Sequence, residues 1–247
     1  MADKENEWFK NWFDTPYYHL LYKKRDEAEA ARFLDLLIKL LAPPKGSKFL
    51  DLACGKGRHS IYLHNKGFDV TGLDLSHNSI ECASKFCTKS IQFIEHDMRQ
   101  PLNGYEFDYV INLFTSFGYF SDIEDDKAVI KNVKQCLKPG GIFVLDYFNA
   151  AKPNAHFDIP FTKTVDSIQF NIIKHIKEGR IIKAITVNDS GKIMEFTEEV
   201  RIYSFAQFKQ ILTNEGLTIV QTFGGYELEP YNVETSDRLI LLAKNAS

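Results

Sequence analysis

The stretch from Phe49 to Ser76 carries the residues whose types and spacing could do chemistry. It reads FLDLACGKGRHSIYLHNKGFDVTGLDLS. Gly55 and Gly57 lie where an apolar strand pattern gives way to a helical one, so a ligand could approach main-chain N–H groups at the positive end of a helix dipole. Asp74 ends the next apolar run, where an acid in doubly wound folds reaches a ribose diol. The stretch therefore predicts a site for an adenosine-type molecule.

Two further residues bear on the kind of ligand. Dinucleotide-binding proteins have a third glycine, in the pattern G-x-G-x-x-G, where this chain has Ser60. Asp51, inside the first strand pattern, would repel a pyrophosphate and attract a cationic amine. A cofactor that carries an amino acid is therefore favoured, and a nicotinamide-dependent oxidoreductase is the alternative.

Composition narrows the class of protein. The chain has 247 residues, enough for one large α/β domain with an insertion, and a formal net charge of −3 with scattered lysines and arginines. We therefore expect no face for nucleic acid, and no apolar run approaches the ~20 residues of a membrane span. The acidic, amphipathic N-terminus lacks the apolar core of a signal peptide, so we expect a cytoplasmic protein.

The cysteines and histidines do not have the spacing of a metal site. The four cysteines form no C-x-x-C pair, and the seven histidines show no H-E-x-x-H pattern. We therefore expect no bound metal. We expect reduced thiols at Cys54, Cys82, Cys87 and Cys136.

From Lys48 onward, apolar strand patterns alternate with helical ones. This alternation predicts βαβ units and a parallel sheet that is buried on both faces. Pro139 and the glycines after it, in LKPGG, predict the end of the helix before the fifth strand. The candidate strands are 48–52, 68–73, 91–94, 108–113 and 142–147, with two more near 217–223 and 238–243.

Residues 158–203 interrupt this alternation. Their polar–apolar pattern predicts three or four strands, with turns at KEGR (177–180) and NDSG (188–191). The segment leaves after the fifth strand, at the edge where ligands bind in open α/β sheets, so we expect it to cap the site. A contact between the subunits of a homodimer is the alternative for this segment.

Local signals place several helix starts. Thr15 followed by Pro16 resembles an N-cap and a first helical position, and a longer apolar-faced helix follows Asp26. Ser204 and Gln207 have the spacing of a capping box, which predicts a helix after the interruption.

Five segments in a fixed order resemble the class I S-adenosylmethionine-dependent methyltransferases. They are FLDLACGKGRHS, GLDLS, IEHDMRQ, FDYVINLFTSFGYF and LKPGGIFVLDYFN, which span roughly residues 48–150. One departure lies at Ala53, where the family's acid-x-Gly-x-Gly-x-Gly pattern has its first glycine. The resemblance implies S-adenosylmethionine as cofactor and methyl transfer to nitrogen or oxygen of a small metabolite. A non-catalytic module that only binds the cofactor is the alternative from another class.

The resemblance also implies a fold and a division of the chain. The fold is α/β, with a doubly wound, mostly parallel seven-stranded sheet and an inserted antiparallel β subdomain. The expected parts are an N-terminal helical lid (1–42), a methyltransferase domain that binds S-adenosylmethionine (43–157 and 204–247) and the inserted antiparallel cap (158–203).

By position in these motifs, the resemblance assigns one set of residues to the methionyl end of the cofactor. Asp51 would face the amino group, and Arg58 could pair with the carboxylate. The residues expected to line this moiety are Ala53, Gly55 and Gly57.

A second set is implied for the adenosine end and the methyl group. Asp74 would bind the ribose hydroxyls, with Leu75 beside the adenine. Asp97 would accept from the adenine amino group, with Met98 next to the ring. The residues expected near the transferable methyl group are Asn112, Leu113 and Phe114.

The residues that would act on the acceptor are the least defined. In-line methyl transfer needs mainly positioning, and no catalytic dyad stands out. The candidates for a base, by location, are Tyr119, Asp146 and His59, and none is established. Aromatic walls for a small-molecule acceptor are expected at Tyr18, Tyr22, Phe117 and Tyr119.

Overall fold

The computed structural model describes residues 7–23, 27–152 and 157–246. The described residues fall into two compact units. The smaller is drawn from Met1–Arg25, Gly118–Phe120 and Pro153–Ile202, and the larger from the remainder of the chain.

Seven helices and eleven strands are named in chain order. The helices are α1 (Trp8–Trp12), α2 (Pro16–Leu21), α3 (Glu27–Leu41), α4 (Arg58–Asn65), α5 (His77–Ser84), α6 (Ile123–Cys136) and α7 (Phe205–Asn214). The strands are β1 (Lys48–Leu52), β2 (Asp69–Asp74), β3 (Ile91–Glu95), β4 (Phe107–Asn112), β5 (Leu137–Phe148), β6 (Phe161–Val165), β7 (Ile168–Lys177), β8 (Arg180–Asp189), β9 (Lys192–Arg201), β10 (Leu217–Phe223) and β11 (Arg238–Asn245).

The larger unit is built on a seven-stranded sheet with the order β10-β11-β5-β4-β1-β2-β3. Strands β1 to β5 pair in parallel, while β11 is antiparallel to both β5 and β10. The central strands are apolar because both faces are covered, and Phe49, Val110 and Val144 are almost fully buried. The predicted doubly wound, mostly parallel sheet is confirmed.

Strand β5 begins earlier than the predicted 142–147. Helix α6 ends at Cys136, as the proline in LKPGG predicts, but Leu137 at once pairs with Phe107 of β4. A register shift follows, and Ile142 is the next residue of β5 to pair with β4. Gly140, with φ of +80°, lies within this bulge. The turn expected at these residues is therefore part of the strand.

Side-chain caps begin the helices where the sequence predicts them. The Thr15 side chain accepts a hydrogen bond from Tyr18 N, and proline occupies the first position of α2. Ser204 and Gln207 form a complete capping box at α7. Each cap satisfies main-chain N–H groups that the first turn of a helix leaves unpaired.

The smaller unit contains an antiparallel sheet with the order β6-β7-β8-β9. Two-residue turns connect its strands, and both residues of each turn have positive φ, which suits the twist of a tight hairpin. Two of these turns lie within the predicted KEGR and NDSG segments. Trp12 of α1 packs on Phe196 of β9, with ring centroids 4.6 Å apart. Helix α3 belongs to the larger unit, although the sequence places residues 1–42 in one segment.

Among the described residues, no helix combines the length and apolarity needed to cross a membrane. Within the same ranges, His, Cys, Asp and Glu side chains form no group of three or more that could hold a metal ion.

Tyr203→Phe tests a contact that holds the larger unit together. The Tyr203 hydroxyl donates to Oδ2 of the fully buried Asp126 in α6, at 2.7 Å. Removing this bond leaves a buried carboxylate with one partner fewer, so we expect the free energy of unfolding to fall by about 1–3 kcal/mol. Urea denaturation measures the change.

Tyr105→Phe is the matched control for this substitution. The Tyr105 ring stacks on Phe107, and within the described part of the chain its hydroxyl makes no hydrogen bond. The control should change the free energy of unfolding by less than about 0.5 kcal/mol. Equal losses in the two variants would contradict the role given to Tyr203.

Candidate functional site

The turn between β1 and α4 is the first part of the site. Its backbone has positive φ at Ala53 (+62°), Gly55 (+56°) and Gly57 (+81°). Cys54 N donates to Leu73 O of β2 at 2.8 Å, which ties the turn to the neighbouring strand. Ala53 thus keeps the left-handed conformation that the family's glycine would adopt, at a cost of about 1–2 kcal/mol for a residue with a β-carbon.

The two glycines are needed for different reasons. A β-carbon at Gly55 would meet no atom within 4 Å, so its open side lets a ligand reach the main chain. A β-carbon at Gly57 would lie 2.6 Å from the Phe93 ring. The sequence assigns both glycines to ligand approach, whereas the structure shows that packing against Phe93 requires glycine at position 57.

The carboxylate of Asp74 fixes this turn from the end of β2. Oδ2 accepts a hydrogen bond from Gly55 N at 2.7 Å, and Oδ1 accepts one from Ser76 N at 2.8 Å. The Ser76 side chain in turn caps α5 by accepting from Ser79 N. A carboxylate oxygen can accept more than one hydrogen bond, so these contacts orient Asp74 without exhausting it.

Asp51 is a buried acid inside β1. Burial raises the pKa of its carboxyl to about 6, while the hydrogen bond from Ser60 and the charge of Arg58 oppose the rise and the charge of Asp74 adds to it. Ser60 Oγ donates to Asp51 Oδ2 at 2.6 Å. The sequence marks Ser60 only as a missing third glycine, so its role as the partner of Asp51 was not predicted. A buried acid of this kind gains stability from a nearby cation.

Two consecutive residues after β4 have an uncommon backbone. Phe114 and Thr115 have φ of +58° and +61°, and left-handed geometry costs about 1–2 kcal/mol at each such residue. Asp146 of β5 holds both, because its Oδ2 accepts from Phe114 N at 2.7 Å and its main-chain oxygen accepts from Thr115 N at 3.1 Å. Arg238 Nη2 donates to Thr115 Oγ1 at 2.8 Å.

Asp146 is itself held by a set of donors. Its carboxylate is fully buried and accepts from Arg238 Nε at 2.8 Å and from the Tyr226 hydroxyl at 3.1 Å. These contacts come in addition to the bond from Phe114 N. The arrangement favours a role in positioning the backbone over the role of base that the sequence considers for Asp146.

The Phe114 ring packs against two side chains from the start of α4, those of Arg58 and His59. The His59 ring lies parallel to it, 5.1 Å away with an interplanar angle of 6°, and Arg58 Cζ is 5.2 Å from its centroid. Arg58 Nη2 lies 3.1 Å from His59 Nε2. A guanidinium only donates, so Nε2 accepts and the neutral ring carries its proton on Nδ1.

Asn112 joins the ends of β4 and β1. It is fully buried, and its Nδ2 donates to Leu52 O at 2.9 Å and to Ser116 O at 3.2 Å. Its Oδ1 has no hydrogen-bond partner among the residues that the structure describes. Leu113 is buried in the core. The predicted roles of these residues near a methyl group remain predictions.

The residues predicted for the adenine follow β3. His96 N donates to Asp74 O at 2.9 Å, which places this segment beside the end of β2. The Asp97 carboxylate is held by Arg99, whose Nε lies 3.0 Å from each oxygen. Met98 O accepts from Asn132 of α6 at 3.0 Å. Contact of these residues and of the half-buried Leu75 with an adenine remains a prediction.

The aromatic residues predicted for the acceptor are divided between the two units. Phe117 is fully buried in the larger unit, with ring centroids 5.9 Å from both Tyr203 and Phe208, so it serves packing rather than forming a wall. In the smaller unit, Tyr119 packs on Trp8 at 5.3 Å. Tyr18 packs on Tyr22, and the Tyr22 hydroxyl donates to Glu198. A role in acceptor binding remains a prediction for these three tyrosines.

The larger unit therefore has the features of a doubly wound protein that binds a nucleotide-type cofactor at the carboxyl ends of its strands. Residues 49–141 match a family described as a methyltransferase domain. This match supports the resemblance of the chain to the class I S-adenosylmethionine-dependent methyltransferases that the sequence motifs predict, and with it S-adenosylmethionine as the cofactor.

Individual relatives agree with this assignment. A putative methyltransferase YqeM of Bacillus subtilis is 39% identical over 119 residues, which cover 47% of this chain and 47% of the relative. A dTDP-3-amino-3,4,6-trideoxy-alpha-D-glucopyranose N,N-dimethyltransferase of Streptomyces venezuelae is 26% identical over 219 residues, covering 84% and 91%. A solved S-adenosylmethionine-dependent methyltransferase from Clostridium acetobutylicum has a TM-score of 0.78 and 22% identity, covering 92% and 95%, and shares the fold.

Gly55→Ala and Gly57→Ala form a matched pair that tests the two roles of glycine in the turn. Gly55→Ala adds only the strain of positive φ, so we expect the free energy of unfolding to fall by about 1–2 kcal/mol. Gly57→Ala adds overlap with Phe93, and we expect a loss larger by about 1–3 kcal/mol.

Urea denaturation of both variants measures these losses, and Phe93→Leu supplies the control. In the Phe93→Leu background the extra cost of Gly57→Ala should shrink, while the cost of Gly55→Ala should not change. Equal costs for the two alanines in the native background would show that Phe93 does not decide the residue at position 57.

Proposed function

We propose that this protein transfers a methyl group from S-adenosylmethionine to a nitrogen atom of a small metabolite. The observation that carries the proposal is the pair of acids on either side of the open turn. Asp51 is buried with a raised pKa, and Asp74 is oriented by Gly55 N and Ser76 N. A cofactor with an ammonium group at one end and a ribose diol at the other suits these two acids.

The remaining groups of the turn fit the methionyl carboxylate. The open side of Gly55 gives a ligand access to the turn, and the dipole of α4 favours an anion at the start of that helix. Arg58 supplies a full positive charge at the same place. We therefore propose that the carboxylate is held by the start of α4 and by Arg58.

Catalysis by this site rests mainly on position. S-adenosylmethionine supplies an electrophilic methyl group on a sulfonium, and the electrons of the broken carbon–sulfur bond stay with the sulfur. The chain has to hold the acceptor atom in line with that bond and exclude water. Well-oriented encounter of two reactants lowers a barrier by roughly 7–11 kcal/mol.

A relative favours nitrogen over oxygen as the acceptor atom. The Streptomyces venezuelae protein, aligned over 84% of this chain, is named as an N,N-dimethyltransferase of a nucleotide-linked amino sugar. We propose a primary or secondary amine on a small molecule of that size, such as an amino sugar. An oxygen acceptor is the second candidate, because the same site geometry serves either atom.

Calorimetry and methyl-transfer assays test this proposal in two stages. In the first stage we expect S-adenosylmethionine and S-adenosylhomocysteine to bind. In the second stage the panel contains amino sugar nucleotides and their hydroxyl analogues, and we expect radiolabelled methyl to appear on the amines of the former. Transfer only to the hydroxyl analogues would exclude the nitrogen proposal. Tight cofactor binding without transfer to any compound in that panel, or to added peptides and RNA, would favour a non-catalytic binding module.

Asp74→Asn tests the ribose assignment. We expect the affinity for S-adenosylhomocysteine to fall at least tenfold, because the charged acceptor of the diol is lost. The substitution also affects the turn, so the control is an S-adenosylhomocysteine analogue that lacks both ribose hydroxyls. Its affinity should change by less than threefold, and an equal loss for both ligands would assign the effect to the turn.

Asp51 should make cofactor binding depend on pH. Its carboxyl has a raised pKa of about 6, and the cofactor ammonium binds the ionised form. As pH falls below about 6, we expect the dissociation constant to rise by up to tenfold per unit. Because the folded protein binds this proton more tightly than the unfolded chain, stability of the free protein should fall as pH rises from about 4 to about 6.

Asp51→Asn is the control for both trends. This variant should bind the cofactor weakly, with little pH dependence between pH 5 and pH 7. Its free energy of unfolding should vary less than that of the wild type from about pH 4 to about pH 6. Calorimetry and urea denaturation at each pH measure the two quantities. A wild-type dissociation constant that does not change from pH 7 to pH 5 would exclude Asp51 as the partner of the ammonium.

A further inference from the structure

The first two residues of α4 are in contact through their side chains. We propose that His59 is the general base that takes a proton from the acceptor nitrogen. We propose also that Arg58 occupies the lone pair of His59 Nε2 until the cofactor carboxylate binds. This inference rests on the proposed function. It assigns a catalytic residue and makes its activity conditional on the presence of the cofactor.

The geometry of the free protein blocks His59 as a base. Arg58 Nη2 lies 3.1 Å from His59 Nε2, and only the single lone pair of Nε2 can accept that bond. A base needs this lone pair for the incoming proton. While Arg58 remains bound, Nε2 therefore has no capacity to accept one.

The Phe114 ring holds the pair in this arrangement. The parallel His59 ring at 5.1 Å and the Arg58 Cζ at 5.2 Å share one aromatic partner. Asp146 fixes the backbone of Phe114 through the bond from Phe114 N. Arg58 can therefore leave His59 while the imidazole stays stacked at the same place.

Charge decides where Arg58 binds once a carboxylate is available. A guanidinium and a carboxylate carry opposite charges and are matched by two parallel hydrogen bonds. A neutral imidazole offers one acceptor. The position of Arg58 at the start of α4 also lies where the helix dipole favours an anion. Arg58 is therefore expected to exchange His59 for the methionyl carboxylate.

The proton balance of the step is simple. The acceptor ammonium gives one proton to His59 Nε2, which makes the ring an imidazolium and leaves a lone pair on the nitrogen. That lone pair forms the new bond to carbon. The imidazolium then returns its proton to water, so the residue ends the cycle neutral.

Charged groups on several elements lie near this pair or near the rings that it contacts, and they include Glu29 of α3, whose charge acts on Tyr226. Asp51 and Asp74 lie at the ends of β1 and β2, and the charge of Arg58 acts on Asp51. Behind Phe114 lie Asp146 with Arg238, and Tyr226, whose ring is 5.1 Å from that of Phe114. Asp146 is held by Arg238 and Asp97 by Arg99, so the two carboxylates are engaged by guanidinium groups.

Nuclear magnetic resonance of the seven histidines tests the release directly. The full chain is labelled with ¹⁵N-histidine, His59 is assigned with the His59→Gln variant, and its ring is titrated with and without S-adenosylhomocysteine. We expect the titration midpoint of His59 to rise by more than one pH unit on binding, because the neighbouring cation moves away. An unchanged midpoint in the bound protein would falsify the release.

Two variants serve as controls for the titration. Arg58→Met lacks the guanidinium, so the midpoint of His59 in the free variant should already match that of the bound wild type. Asp51→Asn removes a buried carboxyl on which the charge of Arg58 acts, and the shift should persist there when the variant is saturated with S-adenosylhomocysteine. A free Arg58→Met midpoint equal to that of the free wild type would overturn the proposed role of Arg58.

Kinetics test the base itself. His59→Gln keeps a polar side chain of similar length, and we expect kcat to fall about 100-fold while the dissociation constant of S-adenosylhomocysteine changes by less than threefold. Added imidazole should restore part of the rate in His59→Ala. A kcat within threefold of wild type in correctly folded His59→Gln would overturn the assignment.

The outcomes separate this inference from the proposed function. If neither S-adenosylmethionine nor S-adenosylhomocysteine binds, the proposed function fails and this inference fails with it. If both bind and methyl transfer occurs, but neither the His59 midpoint nor the His59→Gln rate changes, only the inference fails.

Discussion

The carboxylate of Asp74 is the contact on which the rest of the site depends. Its two oxygens accept hydrogen bonds from Gly55 N in the turn after β1 and from Ser76 N before α5. One side chain at the end of β2 therefore joins the turn after β1 to the segment before α5. The open side of Gly55 and the start of α4 face a defined place because this carboxylate holds the turn.

A second acid, Asp146, likewise fixes a segment of backbone by hydrogen bonds, here the segment after β4. Asp146, fully buried and bound by Arg238 and Tyr226, holds the left-handed backbone of Phe114 and Thr115. Charge-assisted hydrogen bonds of this kind offset the cost of such a backbone. This backbone places the Phe114 ring against the side chains of Arg58 and His59 at the start of α4.

Much of the fold could be predicted from the order of apolar and helical patterns. Strand β1 was placed with its observed bounds, and the capping box at Ser204 follows from local hydrogen bonding alone. The start of β5 was not predicted, because the pairing of Leu137 with Phe107 joins residues far apart in the chain. Asp51, Gly55 and Asp74 can be proposed as site residues from the sequence because their spacing in one βαβ unit is local information.

The sequence by itself predicted the resemblance to methyltransferases, the sheet and the acids in the first two strands, since each depends on residue type and short-range spacing. Only the tertiary structure decided what those residues touch. In the folded chain Gly57 packs against Phe93, Ser60 donates a hydrogen bond to Asp51, and Phe117 is buried in the core. The tertiary structure also pairs Asp146 with Arg238, which is 92 residues away. Ser60 and Asp51 are only nine residues apart, but the other partners come from distant parts of the chain and are brought together by the packing of the whole sheet.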